Sequence, residues 1–263
     1  MQCDKWQSLC NNCPQSKIGY PRNYIFDFST RNYRHKKACF TSLDNVTLVP
    51  PSQWLGDLLK QSFLKDYKVK VIYNGVDKTV FKPTDATNLV KKYNLEGKHV
   101  LLGIANDWDK RKGLEYILEL NKRLDDSFVF ALIGLSKDQI ESMPKNIIAL
   151  ERTSSTKELA QWYSLASLLV NPTLEDNMPL VNLEAFACGT PVAVFATGGC
   201  VEVVNDDVGK VVDKGDVDAL EQAILSIAPN KSNYMLKCLE HSNNFDKNNC
   251  YANYIKLYEE LSK

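Results

Sequence analysis

No apolar run in the sequence approaches the roughly 18 residues that a helix needs to cross a bilayer. The N-terminal MQCDKWQSLC lacks the basic-then-apolar pattern of a secretory leader. Both absences lead to the expectation of a cytoplasmic protein. Neither sign of charge is in excess: 32 Lys and Arg face 32 Asp and Glu, a formal net charge of +0. That argues against nucleic acid or a polybasic membrane contact as partner. There is no low-complexity tract, and no repeat with a period of about 20–50 residues. What is present is apolar mass. Of 263 residues 44% are hydrophobic, enough for one large domain or two small ones and too many for a disordered chain.

The chain is organised around residues 167–199, SLLVNPTLEDNMPLVNLEAFACGTPVAVFATGG. The pattern predicts a strand over Ser167–Asn171, a polar loop, a helix over Pro179–Cys188, a glycine turn, a strand over Pro191–Phe195 and a Gly-Gly loop. That is a βαβ unit, which requires a parallel sheet. Pro179 suits the first helical position, with Asn177 or Met178 as the cap, and Gly189 ends the helix. Leu180, Leu183, Phe186 and Ala187 form the face that packs on the sheet. The loop carries Glu175, Asp176 and Asn177 to the carboxyl edge of the sheet, beside a helix N-terminus. Such edges hold ligands in open α/β sheets, and such N-termini hold phosphate. Glu184 lies roughly 8 Å further along the axis, at about 1.5 Å per residue. A carboxylate there can accept two hydrogen bonds from a diol such as a ribose. The plain alternative is a solvated helix face.

An acid, seven residues, then Glu-Ala-x-Ala-Cys-Gly-x-Pro-Val and a Gly-Gly loop resembles the donor site of the retaining GT-B glycosyltransferases of family 4. The acid pair here is Asp176 and Glu184. The Glu-Asp-Asn-Met-Pro variant is similar to the bacterial branch that builds capsule, exopolysaccharide and lipopolysaccharide O-antigen chains. The resemblance runs from Cys3 to about Tyr258.

Before this unit, residues 1–40 read as a loop with one short helix near Ser29–Phe40. In the resembling family such a segment lies near the acceptor mouth. Trp6, Tyr20, Tyr24, Arg31, Tyr33, Arg34, Lys36 and Lys37 are therefore candidates for acceptor contacts, against the plain alternative of a solvated basic loop. Asn45–Val49 reads as a strand. Ser52 caps a helix through about Leu64, with Trp54, Leu55, Leu58, Leu59 and Phe63 as its stripe. Val69–Tyr73 is the next strand. NGVDKTVFKP resembles the family's crossing between domains. Then follow a short helix (Asn88–Tyr93) and a buried strand (His99–Ala105). Arg111-Lys112-Gly113 comes next, ahead of a helix with Leu114, Ile117, Leu118 and Leu124 inward. Strands over Phe128–Gly134 and Asn146–Leu150 flank a short helix at Lys137–Ser142, and Thr156–Ala166 is a helix. After the organising unit come a short helical Val201–Asn205, a strand at Gly209–Val212 and an N-capped helix at Asp216–Ala228. A last helix, Tyr251–Leu261, carries Tyr251, Tyr254, Leu257, Tyr258 and Leu261 on its apolar side. Strand-helix alternation means α/β: a Rossmann-like, doubly wound parallel sheet.

The resemblance implies a division into residues 1–82, the end of an acceptor domain plus linker; 83–245, a nucleotide-sugar donor domain; and 246–263, a helix crossing back toward the first domain. It also implies roles. Lys112 matches a lysine that meets the donor phosphates, and with Asp176 it is the candidate catalytic pair. Arg111, the amides of Leu180 and Val181, and the turn at Pro179 would add positive potential for the diphosphate. Asp176, Asn177 and Met178 would meet the transferred sugar, and Glu184 the ribose. Asn106 stands where the family often has arginine, a departure that Arg111 or Lys110 can compensate. The implied donor is a UDP- or GDP-sugar, and the acceptor a glycan or lipid-linked saccharide. No cofactor is required, because amides and lysine can meet the leaving-group charge. No transmembrane segment is expected, and the site would work in the cytoplasm, with peripheral attachment at the inner membrane face as a further expectation.

Eight cysteines are present. Cys39, Cys188, Cys200, Cys238 and Cys250 are scattered as free thiols are in a reducing compartment. Cys3, Cys10 and Cys13 cluster as C-x6-C-x2-C. A structural zinc wants four ligands, and only His35 or Cys39 is at hand for the fourth, so free thiols are the preferred reading. The family's glycine-rich first strand-turn and acceptor-side histidine have no match in the chain. His35, His99 and His241 read as structural or solvated. A truncated acceptor domain, completed by a missing segment or a partner subunit, is therefore expected. The alternatives kept open are a non-catalytic nucleotide-sugar-binding fragment or half of a split enzyme, and, further off, an epimerase on the same fold.

Overall fold

The computed structural model describes residues 3–15 and 25–263. They fall into two compact units, residues 1–72 and 73–263.

In the first unit, α1 (Ser29–Phe40) is followed by β1 (Thr47–Leu48), α2 (Gln53–Leu59) and β2 (Lys68–Val69). β1 and β2 pair in parallel. The amides of Lys70 and Ile72 continue the contact onto the carbonyls of Leu48 and Pro50 at 2.9 and 3.2 Å. Ser52 caps α2 by accepting from the Leu55 amide at 3.2 Å. The helix stops at Leu59, short of the expected Leu64. The Ser62 hydroxyl donates to the Leu59 carbonyl and accepts from the Leu64 amide, offering the backbone an alternative to another helical turn. Tyr33 is buried, edge-on to Phe63 with ring centroids 5.4 Å apart.

The second unit is a six-stranded, wholly parallel sheet. Its strands are β3 (His99–Ile104), β4 (Phe128–Ile133), β5 (Ile148–Leu150), β6 (Leu168–Asn171), β7 (Val192–Phe195) and β8 (Gly209–Val212), in the order β5-β4-β3-β6-β7-β8. The connecting helices are α4 (Leu114–Arg123), α5 (Lys137–Ser142), α6 (Thr156–Leu165), α7 (Leu180–Ala187) and α8 (Val217–Ile227). α3 (Thr87–Tyr93) precedes the sheet, and α9 (Lys231–His241) and α10 (Lys247–Leu261) follow it. The strands are hydrophobic on both sides because alternate residues enter different cores. Val100, Leu102, Leu169 and Val194 meet Trp162, Tyr163, Leu183 and Phe186. Leu101, Phe130, Val170 and Phe195 meet Ile117, Leu120, Leu220 and Ile224. Helices on both faces of a parallel sheet are the doubly wound arrangement the alternation predicted.

Three expectations change. The first concerns the unit boundary, expected at 82/83 with residues 246–263 set apart. The Val76 amide donates to the Phe245 carbonyl at 2.7 Å and the Val76 carbonyl accepts from Lys247 at 3.1 Å. Asp77 pairs with Lys247 at 2.5 Å. A Cβ on Gly75 would stand 2.5 Å from the Lys247 Cα. Residues 73–82 and α10 therefore pack within the second unit. The second change is that Asp246 caps α10 at the Asn248 amide, so the helix starts four residues before Tyr251. Of its expected apolar stripe only Leu257 is buried, while Tyr251, Tyr258 and Leu261 are exposed. The third is that the short helical piece after β7 is a 3-10 turn at Gly198–Glu202, three residues earlier than expected.

Candidate functional site

The chain runs outward from β3 to β5, then returns to lay β6 against the other side of β3. The order reverses there, and the carboxyl edge at such a switch point is where open α/β sheets hold their ligands. Loop 105–113 and loop 172–179 are laced together. The Leu174 amide donates to the Arg111 carbonyl at 2.7 Å, and the Thr173 hydroxyl donates to the same oxygen at 3.2 Å. Gly113 sits at φ +75°, where a Cβ would lie 2.2 Å from the Pro172 carbonyl oxygen. The Gly-Gly loop after β7 backs this contact. Gly198, at φ +51°, leaves no room for a Cβ, which would fall 1.7 Å from the Asp176 carbonyl oxygen. The Thr197 hydroxyl donates to the Thr173 carbonyl at 2.9 Å.

The packing brings Lys112 and Asp176 together. Lys112 Nζ meets Asp176 Oδ2 at 2.6 Å, with the side chains 28% and 19% exposed. Asp176 Oδ1 accepts from the Asn177 amide at 2.8 Å. That amide, expected to meet a sugar hydroxyl, is engaged by its neighbour's carboxylate. Arg111 turns to its own loop, placing Nε and Nη2 each 2.8 Å from Asp109 Oδ2. Burial pushes the Asp109 carboxyl up, but the Arg111 contacts outweigh it and hold the group below its ordinary value. Asn106 is exposed at the start of the loop. Trp108, which sequence reasoning missed, anchors that loop. It is buried, its indole N–H donates to the Ile133 carbonyl at 3.0 Å, and its carbonyl accepts from the Gln139 side chain at 2.9 Å.

Pro179 is the N-cap of α7, at φ −67° and ψ 120°, one residue earlier than its expected place inside the helix. Its extended ψ sets the entry to the helix, and its carbonyl accepts from Asn182 at 3.2 Å. Met178 is buried, and its carbonyl accepts from the Asn74 side chain at 3.4 Å. Leu180 is exposed instead of packed on the sheet, and Val181 is half-buried. The first amides of α7 have no partner within the helix and lie in the positive end of its dipole. Asn171 and Asn182, both buried, tie the end of β6 to α7 through a 3.0 Å hydrogen bond; sequence reasoning missed this pair too. Gly189 closes the helix at φ +77°, as expected.

Glu184 is half-buried on α7, and its Oε2 accepts from the Tyr163 hydroxyl at 2.6 Å. Burial pushes the Glu184 carboxyl above its ordinary value, and the Tyr163 hydrogen bond pulls it part of the way back. Tyr163 is fully buried, and its phenol is raised first by burial and then by the Glu184 charge. Beneath Glu184, burial holds the Cys188 thiol up at about 12.

The remaining candidates lie elsewhere. Burial raises the Cys10 thiol, and the neighbouring Cys3 and Cys13 add to the shift. Among the described residues, however, no three His, Cys, Asp or Glu side chains are grouped to hold a metal ion, and His35 and Cys39 are exposed on α1. Tyr33 is a core residue and not an acceptor contact, whereas Arg31, Arg34, Lys36 and Lys37 are exposed. Tyr20 and Tyr24 lie outside the described residues. His99 stacks near Phe128 and His241 reaches the Val203 carbonyl at 2.9 Å, both structural as read. Among the described residues no helix is long and apolar enough to cross a membrane.

Comparison with known proteins bears on the family and the fold. The D-inositol 3-phosphate glycosyltransferase of Kribbella flavida is 30% identical over 201 residues, which are 68% of this chain and 47% of that protein. The chain spans 38–62% of the length of the first curated relatives it matches. The solved structure of sucrose-phosphate synthase from Thermosynechococcus elongatus superposes with a TM-score of 0.76 at 22% identity, covering 95% of this chain and 64% of that one. Anabaena HepE in complex with UDP-glucose superposes with a TM-score of 0.72 at 17% identity, covering 89% and 68%. At these identities the structural likeness concerns the fold, which is the GT-B type. The profile of the glycosyl transferases group 1 family matches residues 98–230, spanning β3 through α8 and the whole crevice, and the chain belongs to that family.

Proposed function

We propose that the crevice between β3 and β6 binds a nucleotide-diphosphate sugar, UDP- or GDP-linked, and that the chain serves a retaining glycosyltransferase of family 4. The carrying observation is the Lys112–Asp176 pair at the topological switch point, just ahead of the N-terminus of α7, the helix that carries the Tyr163-held Glu184. The HepE structure with UDP-glucose supports a donor of this class. In this reading the diphosphate takes Lys112 as a partner and rests on the first amides of α7, with Arg111 and Asn106 at its edge. Asp176, released from Lys112, and Asn177 meet hydroxyls of the transferred sugar, Met178 and Pro179 shape the turn beneath it, and Glu184 accepts from the ribose diol.

The chemistry follows from where charge develops. As the bond between the anomeric carbon and the phosphate oxygen breaks, negative charge gathers on the diphosphate, and Lys112 with the α7 amides stabilises it more than the bound ground state. The acceptor oxygen bonds to the anomeric carbon on the face the diphosphate leaves, and its proton departs on the leaving phosphate oxygen. That course retains configuration. No metal is needed, because fixed donors meet the charge. The Glu-Asp-Asn-Met-Pro variant supports assembly of capsule, exopolysaccharide or O-antigen glycans on a glycan or lipid-linked acceptor. Such acceptors place the enzyme in the cytoplasm, peripheral to the inner membrane face.

Calorimetry with UDP and with GDP tests the reading. The protein should bind one of them, and Lys112→Ala and Glu184→Ala should each weaken binding by about tenfold or more, the scale of one charge-assisted hydrogen bond. A folded protein that binds neither nucleotide sinks the assignment.

A further inference from the structure

We infer that Tyr163 is a positioning residue for nucleotide recognition: its hydroxyl holds Oε2 of Glu184 so that the other carboxylate oxygen is aimed at the ribose diol. The inference rests on the proposed role of Glu184 and names the residue through which that role is made specific to ribose.

The geometry is asymmetric. Tyr163 projects from α6, has no exposed surface, and donates to Glu184 Oε2 at 2.6 Å, the length of a charge-assisted bond from a hydroxyl to a carboxylate. Its ring is fixed by Phe81, edge-on at 5.9 Å. Its backbone is fixed by the Thr190 hydroxyl, which donates to the Tyr163 carbonyl at 2.5 Å. Thr190 follows the glycine that ends α7, so the threonine ties Tyr163 to the same helix that carries Glu184. A glutamate has three side-chain torsions to order. The hydroxyl removes that freedom before the ligand arrives, which lowers the cost of binding. It also leaves Oε1, the oxygen not taken by Tyr163, as the acceptor for a diol. A buried tyrosine whose hydroxyl served only its own solvation could take a backbone carbonyl. This one is spent on the carboxylate of the helix that starts at the crevice.

The hydroxyl also acts on charge. Burial disfavours the ionised carboxylate, and the Tyr163 hydrogen bond opposes that effect. The other titratable groups near the pair are Cys188 on α7, protonated with its thiol at about 12, and Lys231 on α9, which lies near Cys188. Neither replaces the hydroxyl as a donor to Oε2. Tyr163→Phe therefore keeps the shape of the ring, frees the carboxylate to rotate, and raises its affinity for a proton.

The experiment compares a ribonucleotide with its 2′,3′-dideoxy analogue, using the full chain and calorimetry with UDP or GDP, whichever binds. The wild-type protein should prefer the ribonucleotide by about tenfold or more, and Tyr163→Phe should lose most of that preference while binding the dideoxy analogue as the wild type does. In parallel, carbon NMR of the Glu184 carboxyl should show it titrating at higher pH in Tyr163→Phe. Were the phenylalanine variant not to fold, 3-fluorotyrosine at 163 keeps the shape with a more acidic hydroxyl. It should move the Glu184 titration to lower pH and leave the ribose preference in place. A wild-type protein that binds no nucleotide, or binds both analogues equally, overturns the role of Glu184 itself. A wild-type protein that prefers ribose, with Tyr163→Phe preferring it equally and titrating unchanged, overturns the role of Tyr163 alone. In the fluorotyrosine experiment, an unmoved titration has the same meaning.

Discussion

Asp176 is held from two sides, by Lys112 Nζ and by the Asn177 amide, whereas Glu184 is held from one and is left with a raised affinity for protons. The second residue carries a stability cost with a definite sign. Its folded carboxyl titrates above the ordinary value of 4.5, so its contribution is full below that value and is lost as pH rises through the folded one. Glu184→Gln never ionises. It should therefore be more stable than the wild type in urea at pH 7–8, and the two should converge in acid, while nucleotide binding weakens throughout. Lys231 shows the opposite sign. Burial brings its ammonium down to about 8 from 10.5, and it donates to the Ser164 carbonyl at 2.6 Å. Its contribution is full above the unfolded value and is lost as pH falls through about 8. Lys231→Met should gain most relative to wild type near pH 7, up to about 3 kcal/mol less the lost hydrogen bond, and nothing by about pH 11. A flat difference across that range would refute the burial argument. Legibility at this scale was uneven. Asp176, Glu184 and Lys112 are singled out by their match to the motif of the resembling family, and their roles are the ones proposed above. Tyr163, Trp108 and Asn182 are not, because an aromatic or amide at a core position looks the same in sequence whether it packs or donates.

Among the elements, the β-α alternation was readable almost to the residue where both signals agreed. Gly209–Val212 and Lys137–Ser142 fall where the pattern puts them, one as an apolar run and the other with a Ser-x-x-Gln capping box. Of α9 only the end at His241 was readable and not its extent, since KSNYMLKCLEH buries only Cys238 and its apolar side is interrupted. The start of α10 was hidden by Asn248-Asn249, poor helix formers that the Asp246 cap overrides. The crevice depends on close approach of loops at Gly113 and Gly198. Gly113→Ala asks an alanine for φ +75° and forces its Cβ against a carbonyl oxygen 2.2 Å away, so one loop must move. It should cost about 3 kcal/mol or more in chemical unfolding. In what remains folded, nucleotide affinity should fall as well, because the loop that shifts carries Lys112. Full stability with unchanged affinity would show that the two loops are not packed as described.

For the whole molecule, every residue assigned to the donor crevice lies in the second unit, and both hydrophobic cores described above fall between Val76 and Phe245. Residues 73–263 expressed alone should therefore fold and bind the nucleotide within about threefold of the full chain by calorimetry; a chain that stays unfolded would place the first unit inside the folding unit. The sequence placed this division ten residues late, because Pro83 and its polar followers look like a linker, and no local pattern announces that Val76 pairs with a strand-like segment 170 residues away. That pairing has a mechanical consequence. Within the unit, Val76 and Asp246 lie side by side, so residues 78–244 form a loop closed at its neck. Tension applied across the neck falls first on two backbone hydrogen bonds and the Asp77–Lys247 pair. Until that clasp gives way, a pull on the chain outside it leaves the sheet unstressed.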